Sequence, residues 1–572
     1  MYSGNVNRRT LLSLGARVGV ATAAMETLRP FSFAESPAGM LGASAQDASA
    51  PGMRAVARPS ADQVVWQDLE VGMFVHFAPN TWQNEESDNL STPLSEIDPK
   101  QLNTDQWAQT AVNLGAKYIV FVAKHQGGFC MWQTDTTDYG IKNTPWKGGK
   151  GDVLADVSAS CKKFGLKLGV YCCPRDDHFG AKTGGICKTP ELQVKYDKMY
   201  RKQLTEVWSR YGKLVEIWFD GSTITPVADL LKKYQPNAMV FQGPQATIRW
   251  VGNENGFAPY PCWNGISKAD AATGTATALD SDPNGGAWMP NECDVSIRRP
   301  DWFWHTDNAN KVLTETELLS VYYRSVGRGC QLLLNIPANR EGLLPDKDAG
   351  VAKAFGDEVR RRFSKPVAKT ADMGTTVTLT LAKPTRIDTV VLQEDTTKGE
   401  RVRGYTLEGR VNGQWKSLGD GVSISHKRIQ PVSPVMVEAV RFTATKYAGT
   451  PAIRTLAVFD TGVAPPTDWN AASEIWAQNL VGDWKGNTFS LDLTKKIDAA
   501  AQYRLRFIPK AGSVTGFKDV VLKLHGVSEP DLLKKPMQPD ELLLDITGVA
   551  ETVQISGQVE GAAEGEILLQ KL

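Results

Sequence analysis

The chain has 572 residues, 42% hydrophobic and 22% charged, and its 64 basic against 63 acidic residues leave a formal net charge of +1. The length exceeds what one hydrophobic core organises and predicts about three or four units. The charge balance excludes a nucleic-acid binder working by bulk electrostatics, and the apolar content excludes wholesale disorder.

Asn7-Arg8-Arg9-Thr10-Leu11-Leu12 sets paired arginines before an apolar stretch that runs to Met25, followed by Ala- and Ser-rich sequence to about Ala50. Residues 1–50 are therefore predicted to be a twin-arginine-type export signal and linker, with a periplasmic or extracellular destination. The apolar stretch is interrupted by Arg17 and falls short of the ~20 residues of a membrane span, and no other segment approaches that length.

From residue 51 to 365, short apolar runs alternate with helical patterns. The strand candidates are 72–78, 118–124, 167–173, 214–220, 238–242, 247–251, 293–297 and 330–336, with helices at 104–114, 152–164 and 191–211. Near-continuous apolar strands alternating with helices indicate a parallel sheet, and the spacing predicts an (α/β)8-type barrel. A doubly wound open sheet is the alternative, but no glycine-rich nucleotide or phosphate fingerprint occurs. After a helix at 346–363, short β runs at 375–381, 389–392, 403–410, 437–444 and 454–460 predict a β-sandwich over 366–462. Val463-Ala464-Pro465-Pro466 reads as a linker, and residues 467–572 as a second, smaller β domain. The eight cysteines all precede residue 331 and none forms a C-x-x-C pair, so neither the cysteines nor the histidines show zinc-ligand spacing and no metal is expected.

Barrel enzymes carry their working groups at the C-terminal ends of strands. His76, His125 and Asp220 each close an apolar run there, and Arg249 opens the run that leads to Glu254. Asp220 follows Ile217-Trp218-Phe219, whose rings would strip water from a carboxylate, a costly arrangement that needs a reason. Glu254 is the natural second carboxylate, since a retaining glycosidase uses two about 5 Å apart, one as nucleophile and one as acid/base. Trp132, Trp250 and Trp304 are among many aromatic faces that carbohydrate binding can use but that a large core also consumes.

Four motifs in order, Phe74-Val75-His76-Phe77, Lys124-His125-Gln126-Gly127-Gly128-Phe129, Val215-Glu216-Ile217-Trp218-Phe219-Asp220-Gly221 and Leu332-Leu333-Leu334-Asn335-Ile336, resemble glycoside hydrolase family 29, the retaining α-L-fucosidases. The resemblance implies Asp220 as nucleophile, with His76 and His125 among the groups holding fucose hydroxyls. Arg249-Trp250-Val251-Gly252-Asn253-Glu254 is similar to the acid/base segment of the branch acting on α-1,3/1,4-linked fucose, which points to Glu254, with Glu292 in Met289-Pro290-Asn291-Glu292-Cys293-Asp294 as its rival. Gln126, Tyr171, Trp218, Arg249 and Trp250 complete the substrate-binding set, and the chemistry requires no cofactor.

Two segments depart from the family pattern. His125-Gln126-Gly127-Gly128-Phe129 stands where the family commonly has His-His-Asp-Gly-Phe, and Tyr171-Cys172-Cys173-Pro174-Arg175 where it has Tyr-Tyr-Ser-Pro-Trp. Two rival readings follow, a sugar-binding protein with weakened turnover and a barrel glycosidase for another sugar. The expected partner is a fucosylated glycan or glycoconjugate, and the sequence is silent on oligomeric state. Residues 375–460 resemble discoidin-like carbohydrate-binding modules, with bracing of the barrel as the alternative role.

Overall fold

A computed structural model describes residues 56–466, 480–494, 497, 501–509, 513–534, 540–546 and 552–571. The export-signal-like segment 1–50 lies outside these residues.

Eight parallel strands form the first unit: β1 (Val71–Val75), β2 (Tyr118–Lys124), β3 (Lys167–Cys172), β4 (Leu214–Trp218), β5 (Met239–Phe241), β6 (Arg249–Trp250), β7 (Asn291–Ser296) and β8 (Gln331–Asn335). They are hydrogen-bonded in the order β5-β4-β3-β2-β1-β8-β7-β6, and a parallel bridge between Phe241 and Ile248 draws the two edges together into a nearly closed barrel. Every residue of β1, β2 and β8 is buried, as expected for strands covered by side-chain layers inside and helices outside. The helices begin where the sequence supplies a cap: Asn103 accepts from the Gln106 amide ahead of α1 (Thr104–Leu114), and Asp152 from the Ala155 amide ahead of α2 (Val153–Phe164). The longest helix, α3 (Pro190–Arg210), opens with proline behind a Thr189 cap. All eight predicted barrel strands are present.

Between β6 and β7 the chain makes a long excursion containing a small antiparallel pair, Gly265–Ile266 against Ala287–Trp288. β6 is only two residues long because Gly252, at φ 98°, turns the chain away immediately after it.

After α4 (Asp346–Phe363) come six antiparallel strands: β9 (Ala368–Met373), β10 (Thr376–Glu394), β11 (Val402–Val411), β12 (Gln414–Gly421), β13 (Arg428–Tyr447) and β14 (Ala452–Phe459), paired in the order β9-β14-β10-β13-β11-β12. Two of them are far longer than the short runs expected. β10 and β13 pair along most of their length through register shifts between Thr380 and Thr385 and between Ile387 and Thr389, so single bent strands look in the sequence like separate ones. The unit has its own core around Leu392, Leu407, Phe442 and Leu456. A nine-stranded antiparallel sheet within residues 480–571 forms a third unit, with a core around Trp484, Phe507, Leu522 and Leu544. Among the described residues, no helix is long and apolar enough to cross a membrane, and all eight cysteines are free thiols.

Candidate active site

The C-terminal ends of β1 to β4 converge on a cluster of rings. His76, next after β1, is fully buried. Its backbone N–H donates to Asn335 Oδ1 at 3.2 Å and its Nδ1 lies 2.8 Å from the same oxygen. The Asn335 amide nitrogen donates to Ser296 Oγ at 3.0 Å and to the Trp302 carbonyl at 2.8 Å, which fixes its oxygen toward the ring. His76 Nδ1 therefore carries a proton. His125, next after β2, stacks on Tyr171 with centroids 5.7 Å apart and meets Phe303 edge-on at 5.0 Å and His76 at 5.9 Å. Below them, Trp218 lies flat on Phe241 at 3.5 Å, and its indole N–H donates to Glu216 at 2.5 Å.

Asp220 sits just beyond β4, half-buried, and accepts a hydrogen bond from Tyr171 Oη at 2.7 Å. The chain can turn there because Gly221 adopts φ +76°, and a Cβ at that position would strike Thr183. The Gly221 amide is held by Gln242 Oε1 at 2.8 Å. Asp220 opens into a cleft whose walls include Gln126, Cys173, Arg175, Trp250 and Asp294. Burial pushes the Cys173 thiol up to about 12, so it is a neutral wall and not a nucleophile.

Asp294 was not singled out from the sequence. It is buried on β7 and accepts from Trp250 Nε1 at 2.5 Å. The clue lay in strand parity: residues 292, 294 and 296 share one face of β7, and the ones nearer its C-terminal end face the cleft. Trp302 and Phe303 were also passed over. Trp302 lies 5.2 Å from His76, ring to ring, and both backbone amides of this pair are held by Glu86, at 2.8 and 3.2 Å. Among the described residues, Glu86, Asp301 and His305 form a grouping of metal-ligand types. Here Lys311 already neutralises Asp301 at 2.7 Å and Glu86 receives the two amides, so these donors staple the aromatic wall.

Several candidates lie elsewhere. Trp132 is fully buried with its indole on Glu206 at 3.0 Å, a core role. Trp304 is half-buried beside Arg340, and it is Trp302 that faces the histidines. Arg249 is buried and donates to the Met289 and Thr277 carbonyls, each at 3.0 Å, and to the Trp263 carbonyl, so it fastens the β6–β7 excursion and does not reach the cleft. Arg249→Met would strip these carbonyls of their donor. We expect a loss of about 3 kcal/mol, read from the urea midpoint of the barrel.

Glu292 lies one layer below the cleft. It is fully buried, accepts from Tyr118 Oη at 3.1 Å and is hydrogen-bonded to Glu216, which also receives the Trp66 indole at 2.8 Å. Burial and the neighbouring Glu216 carboxylate push Glu292 well above the usual carboxylate range, while burial raises Glu216 to about 6. Both folded values exceed the unfolded ones. Their stabilisation is therefore full below pH 4.5 and is lost as pH rises through about 6 and beyond, at up to about 1.4 kcal/mol per pH unit for each proton retained by the fold. Glu292→Gln, which mimics the neutral form, is expected to flatten the fall in urea stability between pH 5 and pH 8.

Glu254 stands on the loop after β6, with its carboxylate 2.9 Å from Arg299 Nη1, and does not line the cleft in this conformation. The two glycines of the histidine loop, Gly127 where the family has Asp and Gly128 where it also has Gly, have a spatial reason. A side chain at Gly127 would run into the carboxylate of Asp88 and one at Gly128 into that of Asp176, so acidic groups absent from the loop itself are brought up by its neighbours. Asp88 is fixed by Tyr139 Oη at 2.8 Å, and Asp176 by Lys124 at 3.0 Å. Gln126 accepts from Arg175 at 3.1 Å, which ties the two unusual segments together at the rim.

The profile of the alpha-L-fucosidase family matches residues 90–361. Alpha-L-fucosidase 1 of Arabidopsis thaliana is 30% identical over 420 residues, covering 65% of this chain and 81% of the plant enzyme. The chain belongs to the alpha-L-fucosidase family. It is a glycoside hydrolase of family 29. A solved family 29 glycoside hydrolase from an unknown rumen bacterium superposes with TM-score 0.66 at 27% identity, covering 91% of this chain and 100% of that one. A Ruminococcus gnavus family 29 fucosidase, solved in complex with fucose, gives 0.63 at 25% identity, covering 73% and 97%.

Proposed function

We propose that the protein is a retaining exo-α-L-fucosidase that removes terminal α-1,3/1,4-linked L-fucose from glycans and acts after export. The observation that carries this reading is Asp220, held by Tyr171 Oη, whose ring in turn stacks on His125 next to His76. A carboxylate so oriented is suited to attack the anomeric carbon, while the imidazoles and the buried Asp294 offer partners for the ring hydroxyls and Trp302 an apolar surface for the C5 methyl. Glu254, turning from Arg299 toward the glycosidic oxygen, donates its proton to the leaving group and later deprotonates the water that releases fucose from Asp220. The fucose bound by the Ruminococcus gnavus relative supports the same sugar here. Free L-fucose release from an aryl α-L-fucoside and from α-1,3- and α-1,4-fucosylated trisaccharides tests it. Release from the trisaccharides is expected, and activity on the aryl substrate alone would remove the linkage assignment.

A further inference from the structure

The loop that carries Glu254 is held from outside the barrel. It leaves β6 at Trp250 and is closed by Arg249, whose guanidinium binds the carbonyl of Trp263 at the far end, so the stretch from Trp250 to Trp263 is a compact loop with adjoining ends. Within it, Asn253 Oδ1 accepts from the Asn255 amide at 3.0 Å and Asn253 Nδ2 donates to the Phe257 carbonyl at 3.0 Å, which folds the chain tightly around Glu254.

The β-sandwich grips this loop at two points. Glu400 clasps Asn264, the residue after the closure. One carboxylate oxygen accepts its backbone N–H at 3.0 Å and the other its side-chain amide at 2.9 Å, and that amide also donates to Ser425 Oγ at 2.7 Å. Midway along the loop, Tyr260 Oη accepts from the Val422 and Ser423 amides at 3.0 and 3.3 Å and donates to the Ser423 carbonyl at 3.1 Å. Glu400 and Asn264 are 2% and 1% exposed, so the clasp is rigid and shielded from water, and a carboxylate is kept there only by the donors it meets.

Resting on Glu254 as the acid/base, we propose that Glu400 and Tyr260 are positioning residues for Glu254: the sandwich sets the geometry of proton donation at the barrel's active centre. A loose acid fails selectively. Substrates whose leaving group needs a proton suffer, and those whose leaving group departs unaided do not.

The test measures kcat/KM, which reports steps up to the first irreversible one, for a phenyl and a 2,4-dinitrophenyl α-L-fucoside with the full chain and with Glu400→Gln and Tyr260→Phe. The expected result in both variants is a loss of about tenfold on the phenyl substrate with the dinitrophenyl value within about twofold of the parent. Equal losses on the two substrates, or none on either, would overturn the proposal. Should Glu400→Gln fail to fold, Tyr260→Phe decides alone, since it removes one oxygen and keeps the ring. A failure of the underlying reading looks different: the parent itself would be silent on both fucosides, or Glu254→Ala would show no preference for the better leaving group.

Discussion

Asp220→Ala lowers kcat/KM on aryl α-L-fucosides by on the order of 10⁴-fold or more while leaving the protein folded. The carboxylate is half-buried at the head of a glycine turn, where it accepts from Tyr171 Oη, and truncating a half-exposed side chain leaves a space open to water and costs little stability. On the proposed mechanism, what is lost is the atom that forms the covalent bond. Azide added to Asp220→Gly is expected to restore turnover by attacking from the vacated side, which inverts the anomeric centre and gives β-L-fucosyl azide. Circular dichroism and product analysis check the two halves of this expectation, and a variant that keeps more than a few per cent of activity would remove Asp220 from the nucleophile's place.

The second large effect belongs to Glu254. Glu254→Ala is expected to cost about 10²- to 10⁴-fold on fucosides with poor leaving groups and far less on a dinitrophenyl fucoside, because the proton matters in proportion to the basicity of the departing oxygen. Azide again rescues, but from the other face of the reaction. It intercepts the fucosyl-Asp220 intermediate and gives α-L-fucosyl azide. The opposite anomers from the two variants separate the two carboxylates without any assumption about distance. Glu292→Gln in the same assays should stay within a few-fold of the parent on all substrates, as Glu292 is buried below the floor against Tyr118.

The barrel was legible because its strands are almost uninterrupted apolar runs, a texture that burial on both faces demands. The sandwich was legible only as a texture. β10 carries Lys383-Pro384 in its middle and β13 carries Pro431 and Pro434, and each proline reads as a boundary although the bent strands run through them. At the site, His76, His125 and Asp220 were found because each ends a run, and the ends of parallel strands meet by topology alone. Asp294 needed strand parity, and Trp302 needed the course of a loop that Asn308 shapes by donating to the Phe303 carbonyl and that Glu86, far back along the chain, shapes by accepting the Trp302 amide. Arg249 misled for a related reason: its position at the start of β6 is visible in the sequence, but the direction of its side chain, toward the carbonyls of its own excursion, is set by residues up to Met289.

The central claim is double displacement through Asp220, and the stereochemistry of the first product tests it most directly. Proton NMR of an aryl α-L-fucoside digest, followed from the earliest time points, is expected to show α-L-fucose appearing first and the β anomer growing in only as mutarotation proceeds. β-L-fucose as the initial product would mean a single displacement by water and would contradict the account.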